Sequence, residues 1–190
     1  MRDEEGRFRK DRVTFNVPGH AHELTFSCYR RLPLLSRDRT CLWLLESLDA
    51  ARRKWDFELW AYVIMPDHAH ILLLPRQKDY QIESILKSIK QPVAQRVMDH
   101  LRREHPEFLA ELAGRKRGDS FEYHFWQPGG GFDRNVFEPR AAWNMVDYLH
   151  GNPLRKGLAL KAVDWRWSSA RFYAGLPEYD LAMDGRPPDV

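Results

Sequence analysis

Residues 68–70 read His-Ala-His. On a β-strand successive side chains alternate between faces, so His68 and His70 point the same way while Ala69 points to the other side. Two imidazoles so placed can chelate one metal ion. Imidazole suits Zn, Mn, Ni and related ions, and a two-histidine set leaves coordination positions open, as a catalytic rather than a closed structural site does. The same spacing also occurs in turn or strand-surface histidines that bind nothing. A second group of interest is Tyr148, with Asn152 four residues on. A helix would put both on one face, provided that it holds to its C-cap. A helical tyrosine is ordinarily a core residue whose hydroxyl finds a partner. Together the two groups suggest a reaction. A phenol with an ordinary pKa of about 10 is a weak nucleophile near neutral pH. A divalent ion on His68 and His70 would polarise a phosphodiester and stabilise the charge developing on its oxygens. Attack by Tyr148 on phosphorus would then give a phosphotyrosine. That ester keeps the energy of the broken strand, so a second hydroxyl can reverse the step and reseal it without ATP.

Several elements must position these groups. HELTFSCYR, from His22, has the β-branched and aromatic content of a first strand. Arg39 to Lys54 sets Leu42, Leu45 and Leu48 at helical spacing. FELWAYVIM and HILLLP are apolar runs separated by Pro66-Asp67, which is turn chemistry for an antiparallel hairpin. Between Gln81 and Arg103 the residues Ile82, Ile85, Leu86, Ile89, Val93 and Val97 make one helical face, in which Pro92 is expected to cause a kink or a break. A mobile polar stretch to about Ser120 should follow, then a short strand over Phe121–Gln127 and a turn at Pro128–Gly131. A helix from about Pro139 to His150 should stop at Asn152-Pro153. The order β-α-ββ-α-β with a final helix predicts an α+β fold: a ferredoxin-like antiparallel sheet with helices packed on one face, plus a C-terminal extension. Three segments are expected: a flexible arm over 1–20, one domain over 21–175 and an acidic tail over 176–190. No internal repeat is evident.

Composition permits this chemistry without requiring it. Apolar residues make up 43% of the chain and aromatics 13%, ample for one packed core in 190 residues. Thirty basic against 27 acidic residues give only +3, too little to announce a nucleic-acid partner. The charge is unevenly spread, however. Residues 177–190 carry four acids against Arg186, which leaves the remainder near +6, concentrated in Arg76–Arg117 and Arg134–Arg171. Two isolated cysteines, Cys28 and Cys41, fit a reducing compartment, so the expected location is cytoplasmic. The start MRDEEGRFRKDR is too charged for a signal peptide, and no run approaches the roughly 18 apolar residues of a membrane span.

YVIMPDHAHILL, DYLHGNPLRKGL and DWRWSSARFY, in this order, closely resemble the signature regions of REP-associated tyrosine transposases, relatives of the single-tyrosine HUH transposases. The resemblance spans roughly His22 to Tyr173. It implies that His68 and His70 bind Mg2+ or Mn2+, that Tyr148 is the nucleophile and that Asn152 completes the metal shell. It also implies the substrate: a single-stranded DNA hairpin (REP-like), cleaved to leave a 5′-phosphotyrosine and a free 3′-hydroxyl. One departure is Gly151, where many members carry a second tyrosine; it removes a competing nucleophile. A monomer is expected, although dimers occur among relatives.

Lys87, Lys90, Arg134, Arg155 and Lys156 are candidate phosphate contacts, though a lone surface lysine is ordinarily just solvated. Trp126, and with it Trp165 and Trp167, can stack on unpaired bases or pack in the core. Tyr62 and Tyr123, in strand-like runs, should pack. The glycines of Pro128–Gly131 serve either close backbone approach to DNA or a tight turn. Two other functions compete with the transposase-like reading. A histidine-triad nucleotide hydrolase would need a third alternating histidine where this chain has Leu72. A non-catalytic hairpin binder would not need His68, His70, Tyr148 and Asn152 intact.

Overall fold

Alternation of apolar and polar residues along the first strand decides which side of the sheet each residue serves. In the computed structural model, which describes residues 15–115, 121–177 and 180–190, β1 (Ala21–Ser27) sends His22, Leu24 and Phe26 to one face and Ala21, Glu23 and Thr25 to the other. It is followed by α1 (Asp38–Trp55), β2 (Phe57–Met65), β3 (His68–Pro75) and α2 (Ile82–Glu104). A small ribbon of β4 (Ala113–Arg115) and β5 (Phe121–Tyr123) comes next, then β6 (Phe132–Val136), α3 (Pro139–Arg155) and the one-turn α4 (Ala170–Tyr173). The sheet has the order β2-β3-β1-β6, antiparallel throughout, which is the ferredoxin-like arrangement. Helices α1 and α2 share one face, over Leu24, Phe26, Ile71, Leu73, Tyr62 and Ile64. Helix α3 lies on the opposite face, where Met145, Val146 and Leu149 meet Trp60, Val63, Met65 and Leu72. The expected mobile polar stretch up to Ser120 is instead ordered over most of its length, as a 3-10 helix over Pro106–Leu112 that buries Leu112 and then as β4; only its residues 116–120 lie outside the described residues, as do most of the expected N-terminal arm and Glu178 of the acidic tail.

The fourth strand of the sheet is Phe132–Val136, not the segment around Phe121, which pairs with β4 in the separate ribbon. Its sequence, FDRNV, looks like a loop because β6 is an edge strand with mostly solvated side chains. Two prolines also act differently from expectation. Pro92 sits in a continuous 23-residue α2, and Pro153 sits in an α3 that runs on to Arg155. Pro153 has no N–H for the carbonyl of Leu149. The side-chain amide of Asn152 donates there instead (3.4 Å), and to the carbonyl of Tyr148 (3.2 Å), so the last turn stays closed.

The opposite edge strand, β2, is covered by the C-terminal segment, which keeps its backbone groups from other partners. The amide of Ile64 donates to the Trp167 carbonyl (2.8 Å), that of Ser169 to the Tyr62 carbonyl (3.0 Å), and that of Leu59 to Asp184 (2.9 Å). Further acids after residue 176 are also paired: Asp180 with Arg166 at 2.8 Å, and Asp184 with Arg52 at 3.0 Å. Gly131 is required by the backbone. Its φ of +76° is left-handed, and a Cβ there would lie 2.4 Å from the Thr25 carbonyl. Among the described residues, no helix is long and apolar enough to cross a membrane.

Candidate active site on the sheet face under α3

β3 presents His68 and His70 to the α3 side, with ring centroids 4.9 Å apart, and both are more than nine-tenths buried. Each has its Nδ1 engaged. His68 Nδ1 lies 2.6 Å from Asp67 Oδ1, whose other oxygen is 3.0 Å from Arg31 Nε. His70 Nδ1 lies 2.7 Å from Thr25 Oγ1, directly across the strand pair, and Thr25 in turn donates to Glu23 (3.1 Å). The Glu23 carboxylate is braced from outside by Arg134 at 3.4 Å. These partners assign the proton of each ring to Nδ1 and leave both Nε2 lone pairs free, the orientation in which outer carboxylates set metal-binding histidines. Burial, opposed by the hydrogen bond to Asp67, pushes the His68 imidazole below its ordinary range, which favours the neutral, ligating form.

Tyr148 projects from α3 onto the same spot. Its ring centroid is 5.9 Å from that of His70, edge-on, and the residue is 45% exposed, so it is a solvent-facing tyrosine and not a core one. One turn on, Asn152 is 6% exposed. With its amide nitrogen spent on backbone carbonyls, its oxygen is the atom left for a hard cation. Arg155 places its guanidinium 4.5 Å over the Tyr148 ring and also donates to the Tyr148 carbonyl. Gly151 makes this possible, since a Cβ there would fall 2.5 Å from the Arg155 guanidinium.

Among the described residues, no group of three or more His, Cys, Asp or Glu side chains is placed to hold a metal. Two imidazoles and the amide oxygen of Asn152 are donor types that suit a divalent ion.

Two further DNA candidates belong to this face: Arg134, whose guanidinium reaches Met145 of α3 (3.8 Å), and Arg155; Lys156 follows at the exposed end of α3. Lys87, Lys90 and Trp126 line a separate groove with Gly129 and Gly130, beside α2 on the far side of the sheet. Lys90 donates to the Gly129 carbonyl (3.1 Å), and burial lowers its pKa. Trp126 is 7% exposed, lies edge-on to Phe26 and Phe125 and donates to the Lys90 carbonyl (2.8 Å), so only a rim of its ring reaches that groove. Trp165 and Trp167 are fixed against β2, the former donating to the Ile64 carbonyl. Tyr62 is buried as expected, whereas Tyr123 is 43% exposed on the ribbon. Arg31, Asp67, Thr25 and Glu23 are additional site residues. Of these, Asp67 could have been suspected from its place beside His68.

The model of the IS200-like transposase family matches residues 17–129, and the chain belongs to that family of DNA-processing enzymes. The matched segment contains His68 and His70; Tyr148 and Asn152 lie beyond it. Among solved structures, the chain is similar to a REP-associated tyrosine transposase bound to a REP hairpin, at 21% identity and a TM-score of 0.64, over 96% of this chain and 95% of that one. The fold is therefore that of the REP-associated tyrosine transposase. A transposase structure from Deinococcus radiodurans R1 is more distant, at 19% identity and a TM-score of 0.45, over 76% of this chain and 96% of that one. No curated protein matches.

Proposed function

We propose that the chain is a metal-dependent single-stranded DNA endonuclease and strand transferase that acts on REP-like hairpins through Tyr148. The observation that carries this reading is the meeting of three side chains: two histidines with free Nε2 atoms on β3, and an exposed tyrosine from α3 whose ring centroid lies 5.9 Å from that of His70. His68, His70 and Asn152 would hold Mg2+ or Mn2+, which when bound supplies charge to a scissile phosphate. The remaining work falls to the chain itself. Asp67 and Thr25 fix the imidazoles, α3 carries Tyr148 to the same face, and Arg155 holds the phenol ring by stacking its guanidinium on it. Attack of Tyr148 Oη on phosphorus forms the 5′-phosphotyrosyl bond and releases the 3′-hydroxyl, which carries away the leaving electron pair and takes up a proton. Reversal by a strand's 3′-hydroxyl reseals the DNA.

Hairpin recognition draws support from the REP hairpin in the similar structure, and phosphate contacts at Arg134, Arg155 and Lys156 surround the nucleophile. Lys87, Lys90 and Trp126 would contact a part of the DNA that passes round to the α2 side. The protein would act as a cytoplasmic monomer, with the C-terminal segment covering the β2 edge. The test is denaturing electrophoresis after incubation with labelled hairpin DNA and Mn2+ or Mg2+. A protein–DNA band lost on chelation by EDTA and in His68→Ala is expected. Tight binding without an adduct under either metal would overturn the reading in favour of a hairpin-binding protein.

A further inference from the structure

Beside Tyr148 a cavity of about 440 Å³ opens between the free edge strand β6 and the first turns of α3. It falls within the ~300–1,000 Å³ range of small-ligand sites. Its wall changes character along its length. Next to Tyr148 stand Met145 and Arg134, the latter held in place by Glu23 and the Met145 sulfur. Deeper along α3, Asn144 lies one turn before Tyr148 on the same helix face, exposed, with no side-chain hydrogen bond among the described residues. Phe137, 65% exposed, closes the far side. One face of its ring stacks on His20 at 5.1 Å and 28°, so its orientation is fixed while the other face stays open. Glu138 provides a carboxylate at the rim.

A guanidinium beside the nucleophile, then a free amide and a carboxylate, then a fixed aromatic face, is the sequence of groups that a nucleotide presents a need for: phosphate, base edge, base plane. We infer that this cavity holds one unpaired nucleotide of the substrate strand, adjoining the scissile phosphate. Arg134 takes its phosphate, Phe137 stacks on its base, and Asn144 with Glu138 reads its edge. The carboxylate accepts but cannot donate, so the site selects a base with an exocyclic amine over thymine. The inference rests on Tyr148 being the nucleophile, because that places the scissile phosphate at the mouth of the cavity.

The experiment measures adduct formation by the full chain on hairpin substrates carrying each of the four bases at every position flanking the cut. The wild type should discriminate against thymine at one position, roughly 10- to 100-fold. Glu138→Gln, whose amide donates as well as accepts, should flatten that preference at that position alone. Phe137→Leu should weaken the apparent affinity about tenfold for all four bases, since stacking tolerates any base. Adducts that form with no base preference at any flanking position, or with a preference unchanged in Glu138→Gln, would overturn the subsite and leave the function standing. No adduct with any substrate would overturn the function and the subsite together.

Discussion

Replacing Asp67 tests whether the histidines are held for a metal. The carboxylate lies 2.6 Å from His68 Nδ1 and shares its other oxygen with Arg31 at 3.0 Å. Asp67→Asn keeps an acceptor for the ring but removes the charge that makes Nε2 a better donor. Loss of such an outer partner weakens metal binding about 10- to 100-fold. Arg31 already offsets part of the Asp67 charge, and the amide still orients the ring, so the lower end of that range applies: about tenfold, or ~1.4 kcal/mol. Asp67→Ala also frees the ring to turn and should approach 100-fold. The assay is Mn2+ titration of the DNA-free protein followed by electron paramagnetic resonance, with circular dichroism to confirm folding. Folded variants that bind Mn2+ within twofold of the wild type would refute the argument that Asp67 sets the His68 ligand.

Three other outcomes are expected. Gly151→Ala should push Arg155 off the Tyr148 ring and slow adduct formation by about threefold to thirtyfold, the range of a cation–π contact; in an Arg155→Ala background the same change should have no further effect, and additivity of the two would contradict the coupling. Burial holds the His150 imidazole, 2.8 Å from Ser169 Oγ, down to about 4, against 6.5 when unfolded. Its neutral form thus contributes stability that is complete above pH 6.5 and lost as pH falls through 4, roughly 3 kcal/mol in all; urea unfolding at pH 7 and pH 4.5 should show a steeper acid loss in the wild type than in His150→Gln, and equal losses would contradict it. Burial pushes the thiols of Cys28 and Cys41 up to about 12, so neither should react with a thiol reagent at pH 8 until the protein unfolds; prompt labelling of the native protein would contradict their placement.

The parts of this site that were legible in the sequence are local ones. Alternation alone puts His68 and His70 on one face, and helical spacing puts Tyr148 and Asn152 together. The hairpin around Pro66-Asp67 was equally plain, because apolar runs and turn residues are adjacent in the chain. Pro153 misled because its missing hydrogen bond is made good by a neighbouring side chain, which no propensity records. Strand β6 was obscured for the opposite reason: an edge strand needs little apolar character, so FDRNV carries no strand pattern. Thr25 and Glu23 were out of reach because their role depends on cross-strand register, which sets Thr25 opposite His70 across 45 residues of chain.

The central claim is that Tyr148 becomes covalently joined to DNA. The most direct measurement is mass spectrometry of the protein after reaction with a hairpin substrate and Mn2+, followed by nuclease trimming and proteolysis. The account predicts a phosphonucleotide on the peptide containing Tyr148, and its disappearance in Tyr148→Phe. A nucleotide found on another residue, or an adduct that persists in Tyr148→Phe, would contradict it.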